Sequence, residues 1–142
     1  MQYKIFDYLP KEAIKIRTKV FMEEQGFVQE FDDIDKKAYH LIIYEDNQPV
    51  ANGRLFKDDI QENAYIIGRL AVMKNYRNRH LGSKLIKLLE EQVKILNGKK
   101  ISLSAQCQAK QFYEKLGYKA SGDVYLDEAC PHIHMEKFLE GM

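Results

Sequence analysis

The sequence predicts an α/β chain, in the broad sense that includes α+β, with a mixed sheet of about six to seven strands and about four helices. Three observations carry that reading. Short β-rich runs alternate with runs of helical period. Three of the β-rich runs are consecutive, which calls for antiparallel pairing inside a sheet that is otherwise crossed by helices. Glycines stand where the later helical runs must stop, at Gly98 and Gly117. A chain of 142 residues suits one domain covering 1–142, with a single core and no linker.

The elements follow in order. Residues 2–6 (QYKIF) read as a short strand, and Pro10 suits the first turn of a helix whose Ala13, Ile16 and Val20 recur at helical spacing and which ends near Gly26. Residues 26–38 (GFVQEFDDIDKKA) lack a period and read as a loop or a short second helix. HLIIY (40–44) and VANGRLF (50–56) flank the polar EDNQ, a hairpin signature, and AYIIGRLAV (64–72) supplies a third strand. A helix from Leu81 places Leu85, Ile86, Leu89, Val93 and Leu96 on one stripe, with Gly98 as its stop. ISLSA (101–105) is a buried strand. Ala109, Phe112, Tyr113 and Leu116 give a short amphipathic helix ended by Gly117, and 118–120 and 132–137 close the sheet.

Composition narrows the function classes. Basic residues number 22 and acidic residues 21, so no global field draws in nucleic acid or an anionic membrane, and neither is expected as a partner. The N-terminal residues lack an apolar run of signal-peptide length and no stretch is long and apolar enough to span a bilayer, so the expected compartment is the cytoplasm. Two isolated cysteines, Cys107 and Cys130, do not make a disulfide framework.

One stretch concentrates cationic chemistry. NYRNRHLGSKLIKLLEE (75–91) brings Arg77, Arg79 and His80 to the start of a helix, with Lys74 close by and Gly82 lacking a Cβ. Unpaired N–H groups at a helix N-terminus attract anions, and a pyrophosphate fits such a turn; a solvated basic loop is the alternative. The stretch is not a P-loop, since no glycine precedes Gly82-Ser83-Lys84 at the required spacing, and G-x-G-x-x-G is absent.

The run LAVMKNYRNRHLGSKLIKLLEE resembles the acyl-coenzyme A signature of the GNAT superfamily of N-acetyltransferases, R/Q-x-x-G-x-G/A. Arg77 fills its first position, Gly82 its last, and His80 stands where the family usually has its middle glycine. AKQFYEKLGYKA is similar to the family's A-x-x-F-Y-x-x-x-G-F/Y helix, and the resemblance extends along the whole chain to a small bacterial branch whose acceptor is commonly unassigned. It implies the GNAT fold, acetyl-coenzyme A as co-substrate, no metal, and direct acetyl transfer to a primary amine of a small molecule or peptide. Many members dimerise, so a homodimer is among the implied partners.

The residue roles implied by that resemblance are these. Arg77, Asn78, Arg79, His80, Leu81, Gly82 and Ser83 would wrap the pyrophosphate. Leu70, Ala71 or Val72, on a strand that is bulged in the family, would offer an N–H to the thioester oxygen and hold the pantetheine arm, with Gln106 and Phe112 on its other side. Tyr113 would donate a proton to the departing thiolate; without the resemblance, Phe112 and Tyr113 read as core aromatics. The strand glutamate many relatives use as base is replaced by Gly68. Glu23, Glu24, Asp32, Asp33, Asp35 and His40 lie in the region that builds the acceptor side, and Glu24, Asp35 and His40 are the candidates there. Cys130, His132 and His134 alternate as in a strand, but a fourth ligand is not evident, so packing or an acceptor-site role is expected of them rather than zinc. A non-catalytic acyl-coenzyme A sensor is the alternative function, favoured by Gly68 and His80.

Overall fold

Seven strands hydrogen-bond in the order β1-β2-β3-β4-β5-β7-β6 in the computed structural model, which describes residues 1–139. In chain order they are β1 (Gln2–Phe6), β2 (Tyr39–Glu45), β3 (Gln48–Lys57), β4 (Ala64–Val72), β5 (Lys100–Gln106), β6 (Lys119–Asp127) and β7 (Cys130–Phe138). The α-helices are α1 (Lys11–Arg17), α2 (Leu81–Ile95) and α3 (Lys110–Lys115). The sheet is mixed: β4 runs parallel to β5, while β1–β2, β2–β3, β5–β7 and β6–β7 pair antiparallel.

The chain gathers into two compact units. The first holds Met1–Phe56 with Ile67–Glu91, the second Lys57–Ile66 with Gln92–Met142. In the first, Ala13, Ile16, Val20 and Phe21 bury against Ile42 and Ala71. The pattern read from the sequence therefore faces the sheet as its spacing requires. Beyond Arg17 the helix widens into a π-helix over Thr18–Glu24, with the Gln25 N–H donating to Val20 O at 3.2 Å, and so stops close to Gly26. The β2–β3 turn uses Asp46 and Asn47 at φ 51° and 65°, the twin left-handed residues of a tight hairpin.

Residues 26–38 supply no fourth α-helix. They contain one 3₁₀ turn, Asp33–Lys36, begun by the Asp32 N–H donating to Asp35 Oδ2 at 3.1 Å. The segment has no apolar stripe to bury, and Glu30, Asp32 and Asp35 point at arginines instead.

In the second unit, β6 and β7 are longer than the sequence suggests and meet at a turn with Glu128 and Ala129 in the left-handed region. Most of β6 is exposed, so it carries no buried-face alternation to reveal it, and its pairing is interrupted between Ser121 and Tyr125, beside Gly122 at φ 79°. Gly98 also differs from its expected role. The left-handed residue that ends α2 is Asn97, at φ 63°, while a Cβ on Gly98 would run into the Val93 and Tyr65 side chains. Glycine is there for close approach, not for chain reversal.

Candidate active site

The basic stretch forms a built turn in the first unit. The Met73 N–H donates to Val50 O at 2.8 Å, a 3₁₀ turn follows at Lys74–Tyr76, and Asn78 and His80 adopt φ 65° and 61° before α2 begins. His80 thus takes the left-handed conformation that glycine supplies freely, at a cost of roughly 1–2 kcal/mol. The Lys84 N–H donates to His80 O at 3.1 Å. The N–H groups of Leu81, Gly82 and Ser83, earlier in the first turn, have no carbonyl four residues back within the helix and lie at the positive end of its dipole.

Two arginines flank this turn. Arg77 Nε donates to Val72 O at 2.9 Å, and its Nη1 and Nη2 grip Glu24 Oε2 and Oε1 at 2.5 and 2.8 Å. The Arg77 bond holds the Glu24 carboxyl below its usual value and pushes the guanidinium higher. Glu24, expected on the acceptor side, is bonded to Arg77 at the basic turn before α2 instead. Arg79 sits over the Tyr76 ring at 5.1 Å.

β4 carries a distortion just before this turn. Arg69 has φ 54° inside the strand, and Asn52 Nδ2 donates to Arg69 O at 2.9 Å. Leu70, Ala71 and Val72 follow the distorted residue directly. At Gly68 an added Cβ would meet nothing within 4 Å.

Behind β3 and β4 lies a charge network largely invisible to the sequence. Arg17 is fully buried; it donates to Glu30 Oε2 at 2.8 Å, to Glu30 O at 3.0 Å, and to Asp35 Oδ1 and Oδ2 at 2.7 and 3.1 Å. Arg54 adds bonds to Asp35 Oδ1 at 2.9 Å and Asp32 Oδ1 at 2.7 Å, and Arg69 reaches Glu30 O, Glu30 Oε2 and Asp32 Oδ2 at 3.1, 3.0 and 3.3 Å. Burial pushes the Asp35 carboxyl up, but the bonds from Arg17, the Asp32 N–H and Arg54 outweigh it and leave it at about 2. For Glu30 burial wins and its carboxyl is raised.

The acceptor-side candidates are corrected accordingly. Both Asp35 oxygens are engaged by donors, and an acid of so low a pKa is a poor base at neutral pH. His40 is fully buried, its Nε2 lies 2.9 Å from Asp35 O, and burial lowers its pKa, so it is neutral and structural. Glu23 pairs with Lys19 and Asp33 with Lys36 at the surface.

Sequence signals for the network existed. Arg17 falls four residues after Ala13 on the apolar stripe of α1, and Asn52 and Arg54 alternate on the Val50 face of β3.

In the second unit Tyr113 is largely buried, edge-on to Phe112 and Tyr118 at 5.1 and 6.1 Å, and burial raises its hydroxyl to about 12. Phe112 is exposed, and Gln106 Oε1 accepts from Gln108 Nε2 at 2.5 Å. His132 stacks on Tyr125 and its Nδ1 lies 2.8 Å from the Cys130 carbonyl, whereas His134 is paired with Glu136. Among the described residues no group of three or more His, Cys, Asp or Glu converges to hold a metal, and no helix is long and apolar enough to cross a membrane.

A model of the acetyltransferase (GNAT) domain matches residues 7–139. The chain belongs to the GNAT acetyltransferase family. The uncharacterized protein YyaT of Bacillus subtilis strain 168 is 36% identical to this GNAT chain over 131 residues, covering 89% of it and 86% of YyaT. An acyl-CoA N-acyltransferase from Pseudomonas aeruginosa superposes with a TM-score of 0.83 at 27% identity, over 96% of this chain and 98% of that one. The fold also matches an aminoglycoside 6′-N-acetyltransferase complexed with coenzyme A, with TM-score 0.74, 18% identity, and coverage of 100% and 99%. In this GNAT domain, then, the mixed seven-strand sheet follows the fold of the family.

Proposed function

We propose that the chain transfers the acetyl group of acetyl-coenzyme A directly to a primary amine on a small molecule or peptide. The observation that carries the reading is the turn at 77–83, where Asn78 and His80 are left-handed and Arg77 and Arg79 immediately precede the start of α2. That chain segment fits a pyrophosphate: free N–H groups, a helix dipole and two permanent cations. The coenzyme A in the aminoglycoside acetyltransferase structure supports the same assignment by analogy of fold.

The bound co-substrate would supply an activated thioester; this chain would bind and polarise it. An N–H after the left-handed Arg69 would face the carbonyl oxygen, a kind of donor typically contributing a few kcal/mol. Tyr113 would hydrogen-bond the leaving thiolate. With its hydroxyl at about 12 against about 8.5 for a thiol, full proton transfer lies roughly 5 kcal/mol uphill, so its role is stabilisation rather than complete protonation. With Gly68 at the glutamate position and Asp35 and His40 locked in the network, the amine arrives neutral or loses its proton through water. The rate should then rise with pH toward the amine pKa of about 10.

A second reading, an acyl-coenzyme A sensor without turnover, is favoured by the same Gly68. Calorimetric titration with acetyl-coenzyme A, on wild type and on Arg77→Ala/Arg79→Ala, tests the cleft: the double variant should bind at least about tenfold more weakly, about 1.4 kcal/mol. Thiol release with a panel of primary amines separates enzyme from sensor. Absence of wild-type binding would sink both readings.

A further inference from the structure

Asn52 is fully buried on β3, and its side-chain amide is used on one side only. Nδ2 donates to Arg69 O at 2.9 Å, while Oδ1 has no hydrogen-bond partner among the described residues. A buried carbonyl left without a partner is destabilising, a cost that an apolar residue at the same place would avoid. The N–H half must therefore supply something the site needs.

What it grips is the peptide plane between Arg69 and Leu70. In a trans peptide the C=O and the following N–H point in opposite directions, so fixing Arg69 O toward Asn52 turns the Leu70 N–H away from it. The same plane is held from its other end. Arg69 sits at φ 54°, a conformation costly for a side chain of this size, and its guanidinium is tethered to Glu30 O at 3.2 and 3.1 Å, to Glu30 Oε2 at 3.0 Å and to Asp32 Oδ2 at 3.3 Å. Glu30 is itself anchored by the buried Arg17. A strained residue persists when its surroundings over-determine it, and here an amide on β3 and a charge network from α1 and the following loop both do so.

We infer that Asn52 is a positioning residue that clamps the Arg69–Leu70 peptide so that the Leu70 N–H is the donor to the thioester oxygen. The inference rests on the acetyl-transfer reading and narrows three candidate N–H groups to one. A preorganised donor needs no reorganisation when charge develops; releasing the clamp lets the plane rotate and loses polarisation without removing any contact to the rest of the co-substrate.

The test is infrared spectroscopy of acetyl-coenzyme A, isotope-labelled at the thioester carbonyl, bound to the full chain. Wild type should lower the carbonyl band relative to free acetyl-coenzyme A. Asn52→Ala should lose at least half of that shift while its Kd stays within about twofold. A variant that keeps the wild-type band overturns the inference, as does a wild type that binds without shifting the band. If Asn52→Ala does not fold, Asn52→Asp has the same shape and, when ionised, no N–H to offer, so it carries the same expectation. A wild type that fails to bind acetyl-coenzyme A overturns the acetyl-transfer reading itself, a result distinct from binding without polarisation.

Discussion

Two arginine–carboxylate arrangements in the first unit differ in one respect that decides their use. Around Arg17, side chains of opposite sign are buried and each carboxylate is gripped by two arginines; at Arg77, a single carboxylate, Glu24, sits beside an arginine about one-third exposed. Buried charges must be paired, because an unpaired one loses hydration with nothing in return. Exposed pairs exchange partners at little cost, since water competes for both ions. The first arrangement therefore holds backbone in place, and the second is available to a ligand.

The largest expected effect breaks the buried side of this comparison. Arg17→Ala leaves Glu30 and Asp35 without their main partner, and should destabilise by about 3–5 kcal/mol, read as a fall in the urea midpoint at unchanged slope. Arg79→Ala, on the exposed loop, should stay within about 0.5 kcal/mol. Equal losses in the two variants would erase the distinction.

A smaller effect follows from pH. Asp35 falls from 3.8 to about 2 on folding, so its contribution is fully present above its unfolded pKa and is lost as pH drops from about 4 to 2, about 2 kcal/mol in all. His40, lowered by burial, begins to cost stability once pH falls below 6.5, whereas Glu30, raised by burial, acts in the opposite sense. Denaturant titrations across this range should show an acid slope below pH 4 that flattens in Asp35→Asn.

The smallest effect sharpens the exposed side. Glu24→Gln removes a negative charge that occupies Arg77, and should tighten acetyl-coenzyme A by no more than about fivefold, under 1 kcal/mol, with folding stability unchanged. Weaker binding in calorimetry would mean that Glu24 orients Arg77 for the ligand instead of competing with it.

Much of the scaffold was legible because it is periodic. β4 was placed at 64–72 and the start of α2 at Leu81, as the structure has them, since a β-rich run bounded by polar residues and an i, i+4 stripe are properties of neighbouring residues. The basic turn before α2 was legible for a similar reason: Arg77, Arg79 and Gly82 lie within six residues. The greater part of β6, beyond Ala120, was not, because a mostly exposed strand has no apolar face to announce it.

The candidate site divides along the same line. Sequence by itself determined which residues flank the start of α2 and which strand precedes it, because those relations are local. Only tertiary structure decided that Glu24 belongs to Arg77, that Asp35 and His40 are locked away from any acceptor, and that Asn52 holds the Arg69 carbonyl. Those partners are separated by 53, 18 and 17 residues for Glu24–Arg77, Arg17–Asp35 and Asn52–Arg69. Whether a charge is solvated or buried depends on what the fold brings against it, and desolvation, unlike periodicity, is written in no single stretch of chain.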